Sequence, residues 1–325
     1  MPVIYMDRAS IESLTEKDIR EIIDENSTDV KYGMLHDYYV GNHRILGENK
    51  KDSTAPNNRL VNNMAKYITD TATGYFVGEP IVYDSQNDEY LQTVQDIFDY
   101  NDEQDHNMEL AKQCSICGSC FEMLYLDEDA KIRLARVPAA NGIMICETDS
   151  GFSTPMAFIR TIISKDKDDI VIRKVEFWNS SLVMRFQSLN NGYLNMIAVE
   201  EHYWQDVPFV EYINNEERLG DFEGVITEID AYNKVQSNTA NYFQYNDDAI
   251  LKVLKLGDVS SQDIADMKEK GAIILEDGGD VDWLLKTIDD TALENYKNRL
   301  REDIHTGANV PHMCDESFGG NLSGV

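Results

Sequence analysis

Three cysteines at a three-residue spacing, Cys114, Cys117 and Cys120, are the residues with the clearest capacity for chemistry. Thiolates at this spacing can converge on the iron of a ferredoxin-type cluster, because short connections let several sulfurs face one centre. That pattern needs a fourth cysteine at position 124 followed by proline, and the sequence holds Leu124 and Tyr125. The run also straddles the end of a helical pattern and the start of an alternating one, not a loop. The remaining cysteines, Cys146 and Cys314, are distant in sequence. Small thiols buried at a helix–strand junction are the simpler reading, since a free cysteine packs as a small hydrophobe. An iron–sulfur or thiol enzyme built on Cys114, Cys117 and Cys120 is the competing reading, and it requires a brown protein with visible absorbance.

Other chemistry finds little support. His36 and His43 are seven residues apart, as are His305 and His312, and neither pair has zinc-ligand spacing. The phosphate-binding, dinucleotide-binding and nucleophile-elbow glycine motifs are all missing. Paired acids such as Glu216-Glu217 and Asp289-Asp290 read as solvated faces in so acidic a chain. No residue is assigned to catalysis, and no metal or cofactor is expected. One glycine-rich segment remains: Phe318-Gly319-Gly320-Asn321-Leu322-Ser323-Gly324. A phosphate cradle normally precedes a helix and uses its N-terminus. This segment follows one, which makes it a flexible connection or a mobile functional loop according to what flanks it.

The elements that must position these residues fall into blocks. Residues 1–57 read as a loosely organised, flexible arm, with a helical pattern over Ser13 to Asn26. From Asn58, Leu60, Met64, Ile68, Thr71 and Tyr75 recur at helical spacing, ending at Gly78 and Pro80. Asp88 to Tyr100 repeats the pattern, and Asp105 is a candidate N-cap for a third helix through Ile116. Residues 119–218 read as an antiparallel meander, with strands over Phe121–Leu126, Ile132–Val137, Ala157–Ile163, Ile170–Trp178, Leu182–Phe186 and Met196–Trp204. A long helix then runs from Gly220-Asp221 to about Tyr245. Its second half is so polar that it is expected to line a solvent-filled space or meet a partner chain. A small αβ unit follows: strand Ala249–Leu256, helix Ser260–Lys270, strands Ala272–Leu275 and Val281–Leu285, with a hairpin turn at 276–280. A second long helix spans Thr291–His305, acidic first and basic later, as the helix dipole favours.

Composition narrows the class. The 325 residues carry 29 basic and 59 acidic side chains, a formal charge of −30. A surface this negative keeps copies soluble and repels nucleic acid at long range, which argues against ordinary DNA or RNA binding through phosphate contacts. It is compatible with a protein that handles DNA without gripping it. No apolar run approaches the length of a membrane helix, and five cysteines without a paired framework fit a reducing compartment.

Several segments stand out in order: Tyr38-Tyr39-Val40-Gly41-Asn42-His43, Asn58-Arg59-Leu60-Val61-Asn62-Asn63, Thr73-Gly74-Tyr75-Phe76-Val77-Gly78 and Asn215-Glu216-Glu217-Arg218-Leu219-Gly220-Asp221-Phe222-Glu223. Ile229-Asp230-Ala231-Tyr232-Asn233-Lys234 and Phe318 to Val325 follow. Through these segments nearly the whole chain resembles the portal proteins of tailed bacteriophages with long non-contractile tails. The resemblance implies an α+β fold with an α/β wing over 58–220, a first stem helix over 221–247, a clip over 248–287 and a second stem helix over 288–310. Residues 311–325 would begin the tunnel loop, placing Phe318 to Gly324 beside DNA. Because the family continues into a helical crown, it also implies a C-terminally truncated chain. The implied assembly is a ring at the capsid vertex, usually a dodecamer, put together in the bacterial host cytoplasm and carried in the virion. Its implied partners are the terminase large subunit, the head-completion (adaptor) protein, scaffolding and major capsid proteins, and double-stranded DNA; no membrane is involved. Lys297, Arg299 and Arg301 are candidates for stem contacts. Residues 221–325 carry 21 acids against 9 bases, so the acidity is only mildly concentrated in the implied channel part. Another capsid-associated protein, a minor head or adaptor protein, is the alternative, and it would lack the helix–clip–helix order.

Overall fold

The computed structural model describes residues 3–26, 29–49, 55–148, 153–190, 192–247, 250–254, 280–284 and 290–313. They form two compact units. One is drawn from Met1–Asn42, Asn63–Thr227 and Ile304–Val325, the other from His43–Asn62 and Glu228–Asp303.

The first unit contains two sheets. The larger runs in the order β1 (Val3–Met6), β4 (Gly142–Glu147), β5 (Thr154–Lys165), β6 (Val171–Trp178), β7 (Leu182–Leu189), β8 (Asn195–Glu201). The smaller has β2 (Ser119–Leu126) between β3 (Ile132–Pro138) and β9 (Phe209–Ile213). Among the described residues only the β1–β4 pair is parallel, in the register Val3↔Met144. Side chains alternate between two apolar layers. Met144, Cys146 and Phe158 face the small sheet, where Phe121, Met123, Val137 and Phe209 meet them. Phe158 stacks on Phe209 with ring centroids 3.9 Å apart. Ile143, Ile145, Ala157, Ile159, Val175 and Phe177 face the other way, onto Ile11, Ile19 and Ile23 of helices α1 (Arg8–Glu12) and α2 (Glu16–Glu25). Both faces of β4 are covered, so all six of its residues are buried.

Six strands and the helices α2, α4 (Met64–Val77), α5 (Asp88–Asn101) and α6 (Glu103–Cys117) lie where the periodicity placed them, give or take their ends. Other expectations are corrected. The first residues are no flexible arm over their described length. β1 is a strand of the large sheet, α2 is closed by a Thr15–Asp18 capping box, and α3 (Asp29–Val40) buries Tyr32, Leu35 and Tyr38. The helix expected from Asn58 begins at Met64; Asn63 caps it by accepting from the Lys66 N–H, and 58–62 have no regular secondary structure. The N-cap of α6 is Asp102 and not Asp105, which lies in the first turn.

In the second unit, α7 (Ile226–Asp247) supplies its residues from Glu228, and α8 (Asp290–Gly307) its residues to Asp303. Between these helices in sequence, β10 (Ile250–Leu254) pairs antiparallel with β11 (Asp280–Leu284). The expected helix 260–270 and strand 272–275 lie outside the described residues.

Candidate functional site

The cysteine run forms a joint. Helix α6 ends at Cys117, Gly118 turns the chain with φ +81°, and β2 begins at Ser119. A Cβ on Gly118 would stand 2.1 Å from the Arg218 carbonyl oxygen, and one on Gly220 would stand 2.3 Å from that of Ile116. Only glycine lets these two backbones touch. Four further interactions close the joint. The Ser115 hydroxyl donates to Asp221 Oδ2 at 2.6 Å, and the Asp221 N–H to the Ser115 carbonyl at 2.8 Å. The Asn214 amide donates to Asp221 Oδ1 at 2.7 Å, and Arg218 makes a two-pronged pair with Glu211 at 2.7 and 2.9 Å.

The thiols serve this packing. Cys114 Sγ donates to the Tyr212 carbonyl at 3.4 Å and Cys120 Sγ to that of Val137 at 3.5 Å. Burial pushes the Cys114 and Cys117 thiols up to about 12, and Cys120 higher still. A nucleophilic or ligating cysteine needs the opposite shift. Among the described residues no three His, Cys, Asp or Glu side chains gather as a metal set.

A second constellation lies on α7. Asn233, Ser237 and Asn241 stand four residues apart, hence on one face, and all three are buried. Their side-chain oxygens accept from the backbone of residues 58–62, which lie along the helix as a strap. Asn241 Oδ1 takes the Asn58 N–H at 2.6 Å, Ser237 Oγ the Leu60 N–H at 2.9 Å, and Asn233 Oδ1 the Asn62 N–H at 2.7 Å. The spacing explains the match: four helical residues rise ~6.0 Å and two extended residues ~6.6 Å. The helix face thus substitutes for the edge of a β-strand. Asn58 Nδ2 adds bonds to Asn241 and Gln244. Asn233 Nδ2 lies 2.9 Å from His43 Nδ1. Because the Asn62 N–H is accepted by Oδ1 of Asn233, the Nδ2 of that amide is the group that faces His43. Arg59 bonds the Leu46 carbonyl at 2.7 Å and Asn49 Oδ1 at 2.6 Å, tying the strap to residues 46–49. Glu48 pairs with Lys234, and Arg44 with Asp230 at 3.6 Å.

The polar half of this helix was therefore misjudged from sequence: its buried polar stripe is satisfied within its own chain. The signal was present as small polar residues at 233, 237 and 241, but their partner is backbone, which has no sequence signature.

Among the predicted site residues, Lys297 and Arg301 share a face of α8 beside buried Leu300, while the exposed Arg299 points about 160–200° away. Lys297 bonds Glu294 at 2.7 Å and Arg301 bonds Asn298 at 3.0 Å, so the three bases do not form one patch. Phe318 to Gly324 and Cys314 lie outside the described residues.

The family model for phage portal proteins of the SPP1 Gp6-like type matches residues 19–325. The chain belongs to that family. It is 24% identical to the portal protein of Bacillus phage SPP1 over 94% of its own length, spanning 65% of that protein. It is likewise 24% identical to the portal protein of Clostridium phage phiCD119, over 89% of this chain and 70% of the relative. The fold resembles chains of gene transfer agent particles. One is from a virion, with TM-score 0.53, 12% identity and 92% of this chain covered against 73% of the other. Another is from an empty-particle neck, with TM-score 0.52, 12% identity and coverage of 81% and 70%. Portal-family segments recognisable in the sequence fall on the structural features above: 58–63 is the strap and helix cap, 215–223 the glycine joint, and 229–234 the start of the ladder.

Proposed function

We propose that the chain is a subunit of a ring at one capsid vertex of a tailed phage, through which double-stranded DNA is packaged and ejected and on which the terminase motor docks. The family match over residues 19–325 carries this reading. The order of α7, the β10–β11 pair and α8 supports it, being the helix–clip–helix sequence expected of a stem and clip. Necks of the related particles computed with C6 and C12 symmetry support a ring, with twelve subunits as the working number.

In this reading 221–247 and 288–310 are stem helices, 58–220 is the wing, and the clip at 248–287 meets the terminase large subunit and later the adaptor protein. Phe318 to Gly324 starts the loop nearest DNA, and Lys297 and Arg301 make stem contacts. Scaffolding and major capsid proteins surround the ring. The −30 charge suits a conduit, because an acidic wall repels phosphates and leaves the duplex few places to stick. The family is one of structural proteins, and no residue is assigned to catalysis. Mass photometry and electron microscopy of the purified full-length protein should show closed rings near dodecamer mass. A protein that stays monomeric across salt and concentration overturns the proposal.

A further inference from the structure

We propose that the strap and the polar stripe of α7 form a stepping clasp, which sets the axial register of that helix and lets it move by one helical turn. Three observations lead there. First, the rungs at 58–241, 60–237 and 62–233 use only backbone N–H groups of the strap, so the stripe is indifferent to which strap residue it holds. Second, beyond Asn58, whose amide bonds Asn241 and Gln244, the strap side chains do little to lock the register: Arg59 bonds residues 46 and 49, Leu60 is 46% exposed, and Asn62 is exposed. Third, the two periods match, so the pattern re-forms after a step.

The consequence of a step can be read from the sequence. In one direction the N–H groups of Asn58 and Leu60 meet Ser237 and Asn233, while Asn62 meets Ile229, which has no side-chain oxygen. In the other direction Leu60 and Asn62 meet Asn241 and Ser237, while Asn58 passes to position 245. Either step keeps two of the three stripe residues as acceptors. It gives up one rung together with the end contacts of Asn58 and His43 and, because Arg59 ties the strap to residues 46–49, the surface pairs Glu48–Lys234 and Arg44–Asp230. One-turn displacements of a packed element between discrete arrangements are a known form of switch. Asn233, Ser237 and Asn241 are thus positioning residues for the helix read above as the first stem helix. That functional meaning rests on the portal reading; the clasp itself does not.

The test is directional. Nitroxide labels at Asn62→Cys and Phe243→Cys report the strap–helix distance, with Cys314 and any cysteine beyond residue 325 replaced by serine and the buried Cys114, Cys117, Cys120 and Cys146 left in place. Full-length protein is diluted with unlabelled protein so that only distances within one chain are read. The parent should give one distance. Asn241→Leu makes the native and one stepped register equal in rungs, and should add a population longer by up to ~6 Å. Asn233→Leu favours the opposite step and should add a population shorter by up to the same amount. Ser237→Ala leaves two rungs in the native register and one after either step, so its distance should not change. A folded Asn241→Leu protein showing only the parental distance overturns the clasp, as does a shift in Ser237→Ala. If Asn233→Leu does not fold, the contrast between Asn241→Leu and Ser237→Ala still decides. Absence of rings would sink the portal reading and leave this result standing.

Discussion

At the scale of single residues, the cysteine run and Gly118 separate what a motif suggests from what a position does. Burial pushes the thiols at 114 and 117 up to about 12, so they stay protonated at pH 8. Iodoacetamide at pH 8 should leave Cys114, Cys117 and Cys120 unmodified in the native protein and label them all in urea, read by peptide mass spectrometry. Rapid native labelling would revive the thiol enzyme. The same shifts predict a pH dependence of stability. A group whose folded pKa is raised stabilises fully below its unfolded value, and loses that contribution as pH rises toward the folded value. The urea midpoint should therefore fall between about pH 8.5 and 12, and mutation of Cys114 and Cys117 to Ala should flatten that fall. The glycine in the same run gives a sharper test. Gly118→Ala places a Cβ against the Arg218 carbonyl at a positive φ, and should cost about 2–4 kcal/mol. Gly33→Ala, in α3 with nothing within 4 Å of its Cβ, should stabilise by about 0.5–1 kcal/mol. Urea denaturation of the two variants measures both. The spacing of the cysteines was legible in the sequence; the backbone crossing that makes glycine obligatory at 118 was not, because it depends on residues a hundred positions away.

At the scale of elements, legibility followed amphipathicity. Helix α6 and strands β2, β6 and β7 bury one face or a recognisable run, α5 and β3 half-bury one, and the pattern found them. Strand β4 is covered on both sides, so Gly142 to Glu147 carries no alternation to read. β1 is four residues long and is defined by its parallel partner, which lies about 140 residues on. The strap was mistaken for the start of a helix because Leu60 and Met64 are four apart, although Leu60 points largely to solvent. The ladder on α7 shows why a polar helix half need not face water: a buried side-chain oxygen is stable when it receives a backbone donor that also needs a partner. Ser237→Ala should leave the Leu60 N–H unpaired and cost about 1–3 kcal/mol. Asn238→Ala, one residue along on the exposed side, should be neutral or slightly stabilising, since alanine is the better helix former. Thermal unfolding of the two variants side by side separates a buried rung from a surface substitution.

At the scale of the whole molecule, composition was the most readable property and contiguity the least reliable guide. The charge of −30 follows from counting. The division into units does not, because 43–62 leaves its sequence neighbours to join residues after 228. That rearrangement is written in backbone hydrogen bonds along 58–62, and these have no one-letter code. The charge nevertheless makes a firm prediction about assembly. In a ring each copy lies beside two others of the same sign, so association works against long-range repulsion. Salt shortens the reach of that repulsion, from a Debye length of about 14 Å at 0.05 M to about 4 Å at 0.5 M. If apolar and hydrogen-bonded contacts hold neighbouring subunits together, raising sodium chloride over this range should increase the fraction of closed rings at fixed protein concentration. If the contacts are chiefly ion pairs, the same titration should dissolve the rings. Mass photometry of the full-length protein across the series distinguishes the two. The described surface favours the first outcome, because its ion pairs already join residues within the chain, while large apolar side chains such as Tyr75, Phe76 and Val82 stand 79–95% exposed.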